Sequence, residues 1–402
     1  LADTAAHVGV ERFVLDDGWF SGRRNDTAGL GDWTVDSSVW PNGLTPLINH
    51  VKSLGMEFGI WFEPEMVSPN SKLFKNNPDW ILGKKNQTLG RNQLVLDLNI
   101  KEVQSYLFEK ISKILFENKI SYIKWDHNRV LPFPDHNQAN GFYRLLDKLR
   151  RAFPNVEFES CSSGGGRIDY GVLSTTHRVW LSDSNDAMVR FKMQNNASVW
   201  LPSEVVGSHV GPRKCHTSGR IFDISLRAWV AASRHMGFEM DPRELTDEEV
   251  KILRTVTNWY KENRYWMHKA IFHRLDLSDK SQIGEIQVSI DNEKFVSFVV
   301  QMEQSVYSSP KPVMLTGLDA NSIYKINLIT PSYVSKEMRE LDAQANANGV
   351  TIMNETGVDP GIDHMSAMKV IHEIRRRGGV LKSFKSFCGG LIAPESDDNA
   401  WH

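Results

Sequence analysis

The feature that most limits the fold of this chain is an alternation of short apolar runs with longer amphipathic stretches, from residue 10 to about residue 245. The apolar runs end in acidic or polar residues and cover residues 13–17, 58–63, 94–97, 122–126, 156–161 and 179–183. The stretches between them have helical spacing of apolar residues, as in Leu44 to Leu54, Val103 to Asn118, Gly141 to Phe153 and Ile224 to Met236. Strands that alternate with helices predict an α/β fold with a parallel sheet.

Two α/β architectures fit this pattern, an open doubly wound sheet and a (β/α)8 TIM barrel. An open sheet that binds a dinucleotide carries a GxGxxG turn after a strand, and no such turn follows any of these runs. In a barrel, functional side chains collect at the carboxyl ends of the strands. The runs end there in Asp16, Glu63, Asp97, Asp126, Cys161 and Asp183. The pattern therefore favours the barrel.

The pattern changes twice beyond the barrel region. A polar helix is predicted over Thr246 to Tyr265, and period-two alternation in 286–290 and 295–300 indicates a small antiparallel sheet. From about residue 332, polar helical stretches and one short strand form a tail of different composition. We therefore expect a barrel in residues 1–245, an antiparallel β-domain in 246–329 and a short α/β tail fragment in 330–402.

Composition restricts the class of function. Lys and Arg number 47 and Asp and Glu number 49, a net charge of -2, whereas proteins that bind nucleic acids or anionic membranes usually carry a basic excess. No apolar run approaches the ~18 residues of a transmembrane helix. The cysteines (Cys161, Cys215 and Cys388) do not form a disulfide framework or a zinc ribbon. We expect no nucleic-acid partner and no membrane insertion, and, because no signal peptide is visible at Leu1, a cytoplasmic location.

Two acidic strand ends carry the strongest chemical signal. Asp126 lies between Lys124 and Arg129, and neighbouring cations keep a carboxylate ionised, as a nucleophile requires. Asp183 follows Trp180, and a large apolar ring favours the protonated carboxyl that a general acid requires. Glycoside cleavage uses one carboxyl of each kind. The alternative is that both are solvated loop acids or helix caps.

Asp16 and Asp17 form an acidic pair at another strand end. Carboxylates accept hydrogen bonds from sugar hydroxyls and indole rings stack on sugar C–H faces, which also suits Trp61 at the end of its run. A divalent metal is the alternative use of the acidic pair, but Mg²⁺ and Ca²⁺ take more oxygen ligands than this segment offers. We expect neither a metal nor a cofactor. Core packing is the alternative for Trp61.

Residues 161–167 read Cys-Ser-Ser-Gly-Gly-Gly-Arg. A phosphate-binding loop would carry Lys and then Ser or Thr after the glycines, and these are absent. A thiol nucleophile at Cys161 would need a base, for which His177 is the candidate. The glycines instead predict a tight turn that lets backbone N–H groups approach a ligand. Arg91 cannot be placed by pattern, and an exposed loop arginine is the default.

The motifs LDDGWF, GIWFEPEMVSP, LGRNQLVLDL, IKWDHNR, ESCSSGGGR and WLSDSNDA occur in that order. Over about residues 5–328 they resemble glycoside hydrolase family 36, the α-galactosidases related to raffinose synthases. The resemblance implies a retaining exo-α-galactosidase acting on sugars such as raffinose or melibiose, with Asp126 as the nucleophile and Asp183 as the acid/base. It also implies a galactose subsite lined by Asp16, Asp17, Trp61, Arg91, Lys124, Cys161, Gly164 and Trp180.

The sequence also departs from that family. Family members carry an N-terminal β-sandwich and a first barrel strand that are missing here, so we expect a barrel without its first strand. Family members often form tetramers, which makes a homo-oligomer an expectation. Residues 330–400 resemble a fragment of glutamate-forming saccharopine dehydrogenase without its nucleotide-binding segment, which we interpret as a chimeric tail. Two other functions stay open, a truncated sugar-binding barrel without turnover and galactosyl transfer to another sugar.

Overall fold

The protein is described here by a computed structural model, which covers residues 1–307, 311–329, 351–353 and 376. The chain divides into two compact units, Leu1–Leu318 and Asp319–His402. The expected tail fragment, 330–402, falls in the second unit and lies outside the described residues except at 351–353 and 376. The expected domain boundaries at 245/246 and 329/330 stay predictions.

The first unit begins with strands and helices in alternation. The strands are β1 (Arg12–Leu15), β2 (Glu57–Phe62), β3 (Met66–Val67), β4 (Leu94–Val95), β5 (Tyr122–Trp125), β6 (Glu157–Ser160), β7 (Arg178–Trp180), β8 (Val206–Val210) and β9 (His235–Phe238). The helices are α1 (Ala2–His7), α2 (Thr45–Ser53), α3 (Lys72–Asn76), α4 (Lys101–Glu117), α5 (His136–Ala152), α6 (Tyr170–Thr175), α7 (Ala187–Ala197), α8 (Ile224–Ala232) and α9 (Asp247–Met267). None of the described helices combines the length and the apolar character needed to span a bilayer.

A 7-stranded parallel sheet forms the centre of the unit, in the order β1-β2-β5-β6-β7-β8-β9. Strand order follows chain order, as in a (β/α)8 barrel. The predicted fold class, an α/β barrel with one strand fewer than eight followed by a small antiparallel sheet, is confirmed. Within the described residues β1 and β9 do not pair. A cavity of about 1210 Å³ is lined by residues of both these edge strands and of α9.

Local sequence chemistry sets where the helices of the barrel begin. The N-cap carboxylates of α5, α6, α7 and α8 accept hydrogen bonds from first-turn amides, and they belong to Asp135, Asp169, Asp186 and Asp223. Such caps satisfy backbone donors that have no partner within the helix. The capped starts of α5 and α7 follow Asp126 and Asp183 in the chain, so a capped helix closes each of the loops that carry these two acids.

Two elements differ from the sequence-based prediction. The run 94–97 was expected to be a barrel strand, but β4 pairs antiparallel with β3 beside the central sheet. The helix expected over 224–236 ends at Ala232, and residues 235–238 form β9. Only Ser233 and Arg234 separate α8 from β9. Met236 of β9 still follows Ala228 and Ala232 at the helical spacing of four residues, so periodicity alone cannot locate the boundary between the two elements.

The predicted small antiparallel sheet is present and completes the first unit. It consists of β10 (Ile271–Arg274), β11 (Gln282–Val288) and β12 (Phe295–Gln301). Arg234, just after α8, forms a buried ion pair of 2.6 Å with Glu285 of β11, which ties this sheet to the barrel. In the second unit, β13 (Asn327–Ile329) and β14 (Thr351–Met353) pair in parallel.

Candidate active site

Asp126 directly follows β5 at the carboxyl edge of the sheet and is only 6% exposed. Its Oδ2 accepts hydrogen bonds from Nε1 of Trp61 at 3.1 Å and from Nδ2 of Asn128 at 2.6 Å. Its Oδ1 accepts the backbone N–H of His127 at 2.8 Å. These three donors hold the carboxylate in one orientation, which is the requirement for attack on a bound carbon atom.

Glu63 lies behind Asp126, directly after β2, and is fully buried. Its carboxyl accepts the backbone N–H of Asn128 at 2.6 Å and Nε2 of Gln93 at 3.2 Å. Burial, and then the negative charge of Asp126, raise the pKa of Glu63 to about 8. Glu63 is therefore mostly protonated at neutral pH, and a second negative charge beside Asp126 is avoided.

A buried ion pair supports the same group of loops. Glu65 is 1% exposed and accepts Nε1 of Trp125 at 2.9 Å, and Nη2 of Arg167 lies 2.8 Å from its Oε1. Burial opposes ionisation of Glu65, but the charges of Arg167 and His127 lower its pKa. The guanidinium of Arg167 also lies 3.7 Å from the ring centroid of Phe142. Arg167 therefore neutralises the buried charge of Glu65, and the ring of Phe142 stabilises the guanidinium of Arg167.

Asp183 lies beyond the end of β7 and is exposed, in contrast to Asp126. Nε1 of Trp180 donates a hydrogen bond to its Oδ1 at 2.9 Å. The loop ends at Asp186, whose carboxylate is bound by Arg220 at 2.6 and 2.7 Å and by Ser218 at 2.6 Å. Asp183 is therefore open to solvent while its loop is anchored.

The glycine-rich segment forms the predicted tight turn and touches both acidic loops. Oγ of Ser162 donates to the carbonyl of His127 at 3.0 Å, and Oγ of Ser163 donates to Oδ1 of Asn128 at 3.1 Å. Gly164 has a φ of +85°, and a Cβ there would lie 2.5 Å from Cα of Ser182. Only glycine allows this approach, which sets the spacing between the loop of Asp126 and the loop of Asp183.

The other predicted acids are ion-paired. Asp16 lies 2.9 Å from Nζ of Lys124, and its side chain is 56% exposed. Asp17 accepts hydrogen bonds from Arg23, at 3.0 and 3.2 Å from Nε and at 2.8 Å from Nη2. Burial opposes the charge of Lys124, but attraction by Asp16 and Glu159 raises its pKa, so Lys124 stays a cation.

Arg91 and Asn92 form a two-residue turn between Gly90 and Gln93, closed by a hydrogen bond of 2.9 Å. Their φ angles are +49° and +62°, which cost energy in residues other than glycine. Arg91 is exposed at the tip of the turn, and Gln93 at its base donates to Glu63. The turn therefore connects Arg91 through Gln93 to the carboxyl of Glu63, behind Asp126. The sequence pattern alone could not place Arg91.

Cys161 is 2% exposed, and burial together with the charge of Asp126 raises the pKa of its thiol. The thiol is therefore neutral. His177, the base considered for it, precedes β7 at the opposite edge of the sheet, and its Nδ1 accepts the N–H of Phe158. Cys161 and His177 thus do not form a nucleophile and base pair. Within the described part of the chain, no cluster of His, Cys, Asp and Glu has a geometry suited to a metal ion.

Sequence reasoning placed Glu63 at a strand end but gave no role in the site to it or to Glu65, Asn128 and Arg167. A signal for them was available, because all four belong to the same short motifs as the predicted residues. Trp61 and Trp180 are 2% and 1% exposed. Each indole donates to a carboxylate, and stacking of these rings on a sugar stays a prediction.

Comparison with known proteins gives matches over most of the chain. The family described as Melibiase matches residues 1–270, and the saccharopine dehydrogenase C-terminal domain matches residues 357–402. An alpha-galactosidase of Escherichia coli is 46% identical over 338 residues, which are 82% of this chain and 48% of that protein. Alpha-galactosidase AgaA of Geobacillus stearothermophilus is 39% identical over 344 residues, 81% of this chain and 47% of that protein.

Solved structures give the same result. A single-substitution variant of AgaA from G. stearothermophilus in complex with 1-deoxygalactonojirimycin superposes with a TM-score of 0.77 at 38% identity, covering 81% of this chain and 48% of that one. An AgaA variant in complex with raffinose has a TM-score of 0.77 at 38% identity, covering 81% of this chain and 47% of that one. The chain spans about half the length of the curated relatives that it matches.

Proposed function

Because the chain belongs to the melibiase family, glycoside hydrolase family 36, over residues 1–270, we propose that it hydrolyses terminal α-galactosyl residues of oligosaccharides such as raffinose or melibiose. The observation that carries the proposal is the pair of carboxylates at the carboxyl edge of the sheet. Asp126 is buried and held by three donors, whereas Asp183 is exposed and held by one indole N–H. This asymmetry suits a fixed nucleophile and a solvent-accessible acid/base.

The proposed reaction is a double displacement with retention of configuration. Asp126 attacks the anomeric carbon through Oδ1, which has one donor and keeps a lone pair available, while Asp183 protonates the leaving oxygen. The C–O bond breaks with its electron pair on that oxygen, and a galactosyl ester of Asp126 forms. Asp183 then removes a proton from water, which attacks the same carbon and releases α-galactose and free Asp126.

The remaining predicted residues would bind the sugar. Lys124 is a half-buried cation paired with Asp16, and such charged groups form strong hydrogen bonds to hydroxyls. Arg91 is exposed on a turn that is tied to the loop of Asp126 through Gln93 and Glu63. We assign these residues, with Asp17, Trp61, Cys161, Gly164 and Trp180, to the galactose subsite. Cytoplasmic location and homo-oligomer formation stay predictions from the sequence.

The test is hydrolysis of an aryl α-galactoside by the purified 402-residue chain. Proton NMR identifies which anomer of galactose is released first. We expect turnover with α-galactose as the first product, and loss of turnover in Asp126→Ala and Asp126→Asn. Unchanged turnover in either variant, or β-galactose as the first product, would contradict the proposal.

The same experiment separates the two other functions. Galactose binding without turnover would identify a sugar-binding barrel. The cavity lined by the edge strands β1 and β9, which do not pair with each other within the described residues, favours this as the second candidate. A new oligosaccharide formed in the presence of an acceptor sugar would identify galactosyl transfer. Product analysis by chromatography distinguishes transfer from hydrolysis, because both reactions use the same carboxylates.

A further inference from the structure

A buried arginine underlies the loop of Asp183. Arg190, in the first turns of α7, is 1% exposed. One of its nitrogens, Nη2, donates to the carbonyl of Ser182 at 2.5 Å, the carbonyl of Ser184 at 2.9 Å and Oδ1 of Asn185 at 3.2 Å. These acceptors lie on both sides of Asp183 in the chain, so a single side chain fixes the loop that presents this carboxyl.

The flat face of the Arg190 guanidinium lies against the indole ring of Trp180, which binds Asp183. Its guanidinium carbon is 4.2 Å from the ring centroid of Trp180, and Nε1 of Trp180 donates to Asp183. Among the described residues, Nε and Nη1 of Arg190 have no hydrogen-bond partner, which is consistent with a guanidinium stacked on the ring. Arg190, Trp180 and Asp183 therefore form a continuous series of cation, ring and carboxyl.

Arg190 also differs in its charge balance from Arg234, which is equally buried at 1% exposure. Arg234 pairs with the buried carboxylate of Glu285, whereas Arg190 forms no ion pair with any described residue within 4.0 Å. Burial lowers the pKa of Arg190 to about 10, and the charges of Glu239, Asp183 and Cys215 oppose that shift. Arg190 is thus a cation at neutral pH although burial of an unpaired charge is costly.

A cation on an indole face has a defined electrostatic effect. It attracts the π electrons of the ring and leaves the N–H more positive, which makes it a stronger hydrogen-bond donor. A stronger donor stabilises a carboxylate more than a neutral carboxyl group. The gain therefore appears when Asp183 has lost its proton, which is the state formed during departure of the leaving group.

We propose that Arg190 is a positioning residue for the general acid: it fixes the loop of Asp183 and, through Trp180, stabilises the carboxylate that remains after proton transfer. The inference rests on the proposed function. In the step concerned, the proton of Asp183 moves to the glycosidic oxygen, the C–O bond breaks towards that oxygen, and the negative charge stays on Asp183 next to Nε1 of Trp180.

The test compares two substrates that differ in their need for the acid. Dinitrophenyl α-galactoside has a leaving group that departs without protonation, whereas melibiose requires it. Because general acid catalysis contributes ~10²–10⁴-fold, we expect Arg190→Met to lower kcat/KM for melibiose about 10-fold or more beyond its effect on the dinitrophenyl substrate. Arg190→Lys, which keeps the charge, should recover part of the loss. Equal losses for both substrates would overturn the proposal.

Two further variants keep the comparison independent of folding defects. Arg190→Gln keeps a donor for the loop carbonyls without the charge, and it is expected to show the same substrate dependence if Arg190→Met does not fold. The matched control is Arg234→Met with Glu285→Gln, which removes another arginine of 1% exposure together with the charge of its partner. The control should lower kcat/KM equally for both substrates.

A measurement without turnover separates this inference from the proposed function. Failure of the unaltered chain to cleave either substrate would contradict the function, but the indole ¹⁵N–¹H signal of Trp180, assigned by its loss in Trp180→Phe, still reports on Asp183. We expect the pH midpoint of this signal to move to higher pH in Arg190→Met and Arg190→Gln and to stay near its original value in Arg190→Lys. Identical midpoints in all four proteins would overturn the inference. Glu239 and Cys215, which also act on Arg190, are unchanged in these variants. His209, whose ring centroid lies 4.1 Å from that of Trp180 and which pairs with Glu239, is unchanged as well.

Discussion

The indole N–H of Trp61 lies 3.1 Å from Oδ2 of Asp126, and the Trp61 ring is stacked against Phe20 with centroids 6.2 Å apart. The same arrangement recurs at Trp125 with Glu65 and at Trp180 with Asp183, each at 2.9 Å. All three rings are 2% exposed or less. Each ring therefore packs in the core while its nitrogen orients a carboxylate, which couples the packing of the barrel to the chemistry at its edge.

Replacement of Trp61 by Phe tests this coupling at Asp126. Phe keeps most of the packed ring but removes the N–H donor, so Asp126 loses one of its three hydrogen bonds. Loss of a single donor at a reacting charge typically lowers kcat ~10²-fold or more, and we expect kcat/KM for an aryl α-galactoside to fall at least about 10-fold. Trp200→Phe is the control, because that ring is 48% exposed. An effect no larger than that of the control would contradict a role for this hydrogen bond.

Gly164→Ala tests the contact between the two acidic loops. The added Cβ would lie 2.5 Å from Cα of Ser182, and the φ of +85° is unfavourable for alanine. Gly55→Ala is a matched control, since Gly55 has a φ of +81° and nothing within 4 Å of its Cβ position. We expect the control to cost ~1–2 kcal/mol in unfolding free energy. Gly164→Ala should cost more and should also lower kcat, because the loops of Asp126 and Asp183 move apart. Equal effects of the two substitutions on stability and kcat would show that the contact has no such role.

Glu63 makes the stability of the fold dependent on pH. Burial and the charge of Asp126 raise its pKa from 4.5 to about 8. Between these values the unfolded chain has released the proton and the folded chain keeps it, so the free energy of unfolding falls as pH rises, by up to ~1.4 kcal/mol per pH unit. Glu63→Gln removes this contribution, and denaturant unfolding between pH 5 and 8 should show a flatter dependence than in the unaltered chain. The exposed Glu293→Gln should leave the dependence unchanged. A slope in Glu63→Gln equal to the original would exclude a protonated Glu63.

Arg167→Met tests the buried ion pair with Glu65. Removal of the cation leaves a carboxylate of 1% exposure with only the Trp125 donor. Breaking a buried pair in this way typically costs ~3–5 kcal/mol, which urea unfolding would measure. Arg151→Met breaks an exposed pair with Asp147, whose two side chains are 79% and 52% exposed, and its effect should be below ~1 kcal/mol. If Arg167→Met lowers the free energy of unfolding as little as Arg151→Met does, the ion pair between Arg167 and Glu65 does not stabilise the fold.

The sequence alone predicted a large part of the fold. Alternation of apolar runs and amphipathic stretches predicted the parallel sheet and the helices α2, α4 and α5, because burial on both sides of a parallel sheet produces that pattern. The pattern failed at β4 and at the boundary between α8 and β9. At these two places the apolar residues fit more than one element: a barrel strand or a separate hairpin strand at β4, and a helix or a strand at the end of α8. Pairing with strands distant in the sequence decides which element forms.

Except at Asp97, whose strand lies outside the central sheet, the sequence by itself determined which of the predicted residues stand at the strand ends. Its motifs carried the resemblance to the family that the chain belongs to. It did not determine which of these residues touch. The register that pairs Phe62 with Trp125 and Trp125 with Ser160 places the residues that follow, Glu63, Asp126 and Cys161, side by side at one edge. The contact of Arg190 with Trp180 and the approach of Gly164 to Ser182 also depend on loops from separate strands. Only the tertiary structure decided these contacts, because strand register and loop packing are set by the whole sheet and not by local sequence.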